Sequence, residues 1–110
     1  MPEPTEHRKL SVLREDEEND SNKTFIFEGE GHTLGNALKM LLLKNPEVNF
    51  CGYTIPHPSE DKLHLRIEML SNTSPADVLR KALEDLEKVC THISDKFEEA
   101  VKEYKDSSMV

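Results

Sequence analysis

The sequence predicts an α+β fold: a small antiparallel sheet packed by one short helix and one long C-terminal helix. Three observations carry this. Residues 62–69 alternate strictly between apolar and polar, as a strand with one solvated face does. Residues 33–45 hold an apolar helical stripe that ends at Asn45-Pro46. From Ser74 to about Lys105 apolar residues recur at alternating spacings of four and three, the heptad pattern of a helix with a packing seam.

The elements follow in order. Residues 1–9 and 15–22 are charged or small and polar, and mobility is expected there. Between them, Leu10, Val12 and Leu13 suit a short edge strand. Thr24 to Glu28 is β-branched and aromatic and reads as a strand, broken by Gly29 and Gly31. Thr33 is the expected N-cap of the first helix, with Leu34, Ala37, Leu38, Leu41 and Leu42 facing inward. Met40 and Leu43 fall on the far side of that helix, beside Asn36 and Lys39, as apolar surface a single sheet does not need. Val48 to Ile55 reads as a strand weakened by Gly52, and residues 56–61 as a rigid turn. The short link to the strand at 62–69 implies an antiparallel hairpin, with Leu63, Leu65, Ile67 and Met69 inward.

Ser74-Pro75-Ala76-Asp77 opens the last helix with serine at the N-cap, proline at the first helical position and a carboxylate near the positive dipole end. Its seam runs through Leu79, Leu83, Leu86, Cys90, Ile93, Phe97, Ala100 and Tyr104, widened by Val78, Ala82, Val89 and Val101. Such a helix, roughly 45 Å long, outruns a domain whose radius of gyration should be about 13 Å. Its distal half, with Ile93, Phe97 and Tyr104, is expected to meet another chain. The expected organisation is an acidic head at 1–22, one domain at 23–106 and a tail at 107–110.

Composition narrows the function. The chain has 110 residues, no Trp and 35 % hydrophobic residues, enough for one domain with a thin core. Net charge is −8, carried as −4 over residues 1–22, −1 over 23–73 and −3 over 74–110. No segment is basic, which argues against direct DNA or RNA contact, since phosphate neutralisation dominates such affinity. No run spans a bilayer, and the charged start does not read as a signal peptide. Cys51 and Cys90 each fall on an apolar stripe and read as buried thiols of an intracellular protein.

Catalytic and ligand-binding readings are poorly supported. Gly29-x-Gly31-x-x-x-Gly35 has one residue too many for a dinucleotide fingerprint, and Glu28 and Glu30 would repel phosphate. Cys51, His57 and His64 lie six and seven residues apart, without the paired spacings of structural zinc. No catalytic set, metal or cofactor is expected.

Residues 32–38, HTLGNAL, followed by a leucine-rich helix, resemble the α motif of RNA polymerase α-like subunits, which include the bacterial α amino-terminal domain and its archaeal and eukaryotic relatives. The likeness runs through residues 45–67 and the long helix, from about 24 to 105. The block VNFCGYTIPHPSE at 48–60 is similar to that of the smaller α-like subunits shared by nuclear RNA polymerases I and III. The resemblance implies a non-catalytic assembly subunit, located in the nucleus including the nucleolus, that pairs with a larger α-like subunit. The pair would be a platform for the second-largest catalytic subunit and small zinc-binding subunits. It would place partner contacts at His32, Thr33, Leu34, Gly35, Asn36 and Leu38. The surplus apolar residues Met40 and Leu43, with Leu86, Cys90, Ile93, Phe97, Ala100 and Tyr104 on the long helix, complete the expected interface. Gly35, in a first helical turn, is expected to admit another backbone. The counterpart in polymerase II or an archaeal polymerase stays open. So does a self-pairing coiled-coil adaptor outside transcription, with a small phosphate-binding enzyme last.

Overall fold

The computed structural model describes residues 9–16, 18 and 20–108. The mobility expected of residues 1–8 and the last tail positions, 109–110, lie outside the described residues. The elements are β1 (Leu10–Val12), a 3-10 turn (Arg14–Asp16), β2 (Asn22–Glu28), α1 (His32–Leu42), β3 (Val48–Thr54), β4 (Lys62–Met69) and α2 (Pro75–Ser108). The four strands form one antiparallel sheet in the order β1-β2-β4-β3. The sheet therefore begins ahead of position 23, and α2 continues through Ser107 and Ser108 of the expected tail.

β4 is central because it can be. Leu63, Leu65, Ile67 and Met69 all point into the core, opposite Phe27 and Phe25 of β2 and Cys51 and Tyr53 of β3. Both helices lie on this face: α1 packs on β3, β4 and α2, and α2 on β4 and α1. Leu38 and Leu42 of α1 are fully buried there, each contributing about 1.5–3 kcal/mol by leaving water.

β3 carries a bulge that its sequence does not announce. Val48 faces Met69 and Phe50 faces Glu68, so Asn49 is an extra residue. The bulge reverses the alternation beyond it, turning Cys51 inward and Phe50 outward. Burial pushes the Cys51 thiol up to about 11, against a smaller lowering by Lys39, and keeps it protonated.

The connections explain where the helices start. Gly29 adopts φ 77°, a left-handed conformation glycine tolerates, and its amide donates to Asp61 O at 2.6 Å. α1 begins at His32 with Gly31 at the N-cap and no side-chain cap, so Thr33 is not the cap expected of it. The glycine-led turn admits the helix two residues earlier. At the other end Leu43 caps the helix, and the Glu47 amide donates to Asn45 Oδ1 at 2.9 Å across Pro46. Ser74 does cap α2: the Asp77 amide donates to its hydroxyl at 3.4 Å.

On the open sheet face, Arg66 ties the head segment down. Its Nη1 donates to Asp16 Oδ2 at 3.2 Å and to Thr24 Oγ1 at 3.1 Å, and its Nε donates to Glu68 Oε2 at 2.8 Å. These carboxylates, Glu68 first, hold the guanidinium more firmly protonated than usual.

Candidate partner interface

α2 is one helix with two environments. Pro75, Leu79 and Ala82 are buried, and Val78, Leu83 and Leu86 are half-buried against the core. From residue 87 to 108 every residue is exposed except Val101, which is half-buried. At 1.5 Å per residue the helix is about 51 Å long, whereas the eight residues of β4 span only about 26 Å. The sheet ends before the helix does. The radius of gyration of 18.3 Å and a longest extent of 64 Å record the overhang.

The overhanging stripe stays apolar. Ile93 is 61 % exposed, Phe97 68 % and Tyr104 74 %, with Val89, Cys90 and Ala100 exposed on the same side. Three large apolar side chains in water along one helix edge amount to an unfinished seam. Cys90, expected to be a buried thiol, is exposed because the core stops near Leu86. α1 adds a separate apolar pair, Met40 and Leu43, exposed on the side away from the sheet.

The expected α1 positions divide. His32, Thr33 and Asn36 are exposed, and His32 Nδ1 lies 3.1 Å from Tyr53 Oη in a hydrogen bond, the rings meeting edge-on. Leu34 is half-buried against the core, and Leu38 is fully buried within it, so Leu38 has no surface for a partner. Gly35 is also buried. A Cβ there would come within 2.8 Å of the Tyr53 ring and 2.9 Å of Leu63 Cδ1. The close approach that selects glycine is therefore made by this chain's own β3 and β4, and not by a partner backbone. Leu86 likewise packs mainly on its own core.

Phe50 was not anticipated. It stands half-exposed on the open sheet face with its ring over Gly52, where a Cβ would meet it at 2.9 Å. An aromatic residue two positions before a strand glycine was the signal available. Among the described residues there is no cluster of His, Cys, Asp or Glu suited to a metal ion, and no helix is long and apolar enough to cross a membrane.

The chain is 50 % identical over 96 residues to a Drosophila melanogaster protein named as DNA-directed RNA polymerases I and III subunit RPAC2, covering 86 % of this chain and 90 % of that one. A Danio rerio protein of the same name is 38 % identical over 106 residues, covering 96 % and 95 %. Among solved structures, subunit L of the DNA-directed RNA polymerase of Thermoplasma acidophilum superposes with a TM-score of 0.71 at 22 % identity, over 88 % of this chain and 92 % of that one. That likeness is one of fold. Residues 22–96 match the RNA polymerase Rpb3/Rpb11 dimerisation domain, a span that runs from β2 to Ile93 and Lys96 on the overhanging seam, and the chain belongs to that family.

Proposed function

We propose that this chain is the smaller α-like, non-catalytic assembly subunit of DNA-directed RNA polymerases I and III, acting in the nucleus, including the nucleolus. It pairs with the larger α-like subunit, and the pair forms the platform for the second-largest catalytic subunit and the small zinc-binding subunits. The names of the Drosophila and zebrafish relatives support this assignment. The observation that carries it is the seam of α2, left open at Ile93, Phe97 and Tyr104. Covering each of these side chains is worth about 1.5–3 kcal/mol, so together they offset a substantial part of the cost of association. Cys90 and Ala100 lie on the same stripe, and Met40 and Leu43 of α1 supply a second contact.

Co-expression with the larger α-like subunit should yield a soluble 1:1 complex. Retrieval of the tagged chain from nuclear extract should bring subunits of polymerases I and III. Retrieval of polymerase II subunits alone would transfer the assignment to the polymerase II counterpart. A stable, fully folded homodimer that ignores the larger subunit would favour a self-pairing adaptor.

A further inference from the structure

The two edges of the sheet are unlike. β1, at one edge, has three residues, and the chain turns away from it at Arg14. β3, at the other, has seven, with no proline and no charged residue from Val48 to Thr54. Edge strands are ordinarily guarded by shortness, charge, proline or a bulge. The bulge at Asn49 guards only the first residues of β3, and Phe50 to Thr54 pair regularly with β4. Among the described residues, no hydrogen bond from a segment other than β4 reaches the backbone of residues 49–54.

The two faces beside this edge differ in chemistry. On the open face a shallow groove of about 320 Å³ runs along β3, lined by Phe50, Gly52 and Thr54 with His64 and Arg66. Arg66 is already held by Asp16 and Glu68, so the half-exposed Phe50 ring is what the groove offers. On the helix face, His32 and Lys39 leave α1 on one side, seven residues apart, and His32 meets Tyr53 of β3. Lys39 therefore stands over β3, near enough to Cys51 for its charge to act on the thiol. It is half-buried, and α1 has no acidic residue. No ion pair reaches Lys39 among the described residues.

We propose that the free edge of β3 takes up an extended segment of another polypeptide as a fifth strand. That segment alternates, with apolar side chains toward Phe50 and Gly52 and a carboxylate toward Lys39. Backbone hydrogen bonds supply the affinity, and the alternate side chains supply the selectivity. A carboxylate opposite Cys51 shares its face of the sheet and gives the half-buried ammonium the counter-ion it lacks. A second copy of this chain fits the edge poorly. Antiparallel pairing of two β3 strands keeps like faces together, so both Lys39 ammoniums would share one face with no carboxylate from either α1. Each copy would also approach with a net charge of −8. The contact does not involve the distal half of α2 and does not depend on the pairing role proposed above.

The test uses the full chain and a blocked seven-residue peptide that alternates valine with glutamate, read by amide hydrogen exchange. The peptide should slow exchange within residues 50–54 by about tenfold or more. The same peptide with its amides N-methylated cannot extend a ladder and should give no protection. A peptide with lysine in place of glutamate should bind about fivefold more weakly. Lys39→Glu, its fold checked by circular dichroism, should reverse that preference. No protection at millimolar peptide overturns the proposal, as does equal binding of the methylated peptide. Equal binding of the glutamate and lysine peptides to wild type overturns the stated partner chemistry. Protection that grows with the concentration of the chain alone, without peptide, would assign the edge to a second copy and overturn the proposal as well.

Discussion

Leu79 and Ile93 occupy equivalent places on the apolar stripe of α2, two heptads apart, yet Leu79 is 3 % exposed and Ile93 61 %. Nothing local distinguishes the two turns: both are helical, both present an aliphatic residue, and both are flanked by charge. What differs is the reach of the sheet. β4 and α1 pack against the first turns of α2, and the core they form stops near Leu86. One seam thus does two jobs. Its proximal half closes this chain's core, and its distal half is left for another molecule. An apolar heptad says that a helix will be covered, and only the length of the neighbouring elements says by what.

Substitutions at the two ends should separate these jobs. The largest effect is expected from Ile93→Asp, which would place a carboxylate in a desolvated helix contact, where the pair should come apart before the charge is buried. Recovery of the heterodimer should be lost while the isolated chain keeps its fold; survival at wild-type yield would remove the distal seam from the interface. Asp95→Ala, on the opposite side of the same turn, is the control and should stay within about 0.5 kcal/mol.

Leu79→Ala should act in the reverse sense. Emptying a buried leucine site costs about 2–5 kcal/mol, read as a lower denaturation midpoint of the chain itself. An unchanged midpoint would mean that the proximal seam does not close the core. Gly35→Val should follow with a loss of about 1–3 kcal/mol in the same measurement, from crowding against Tyr53 and Leu63. Were pairing lost with the chain's own stability intact, the intramolecular account of Gly35 would be wrong.

The mildest probe compares the thiols. Cys90, exposed on the distal seam, should react readily with a thiol reagent near neutral pH and be shielded in the complex. Cys51, buried and protonated up to about pH 11, should react only when the chain opens. Equal labelling of both in the folded chain would contradict the division of the molecule drawn here.

What the amino-acid sequence determined by itself is everything with a local period or a local stop. The alternation over Lys62–Met69 dictated which face of β4 is buried, because successive side chains must point to opposite sides. Asn45-Pro46 and Ser74-Pro75 marked the end of α1 and the start of α2 through their own backbone restrictions. The spacing of Leu79 through Tyr104 set the stripe on α2, since it needs only the helical repeat. Tertiary structure decided the rest: that β4 lies between β2 and β3, that an extra residue at Asn49 turns Cys51 inward, that Gly35 faces Tyr53, and that the seam runs out of cover after Leu86. Each of these depends on which distant segment arrives against a given face. A stretch of sequence encodes its own face, but the segment that meets that face is chosen by the packing of the whole chain.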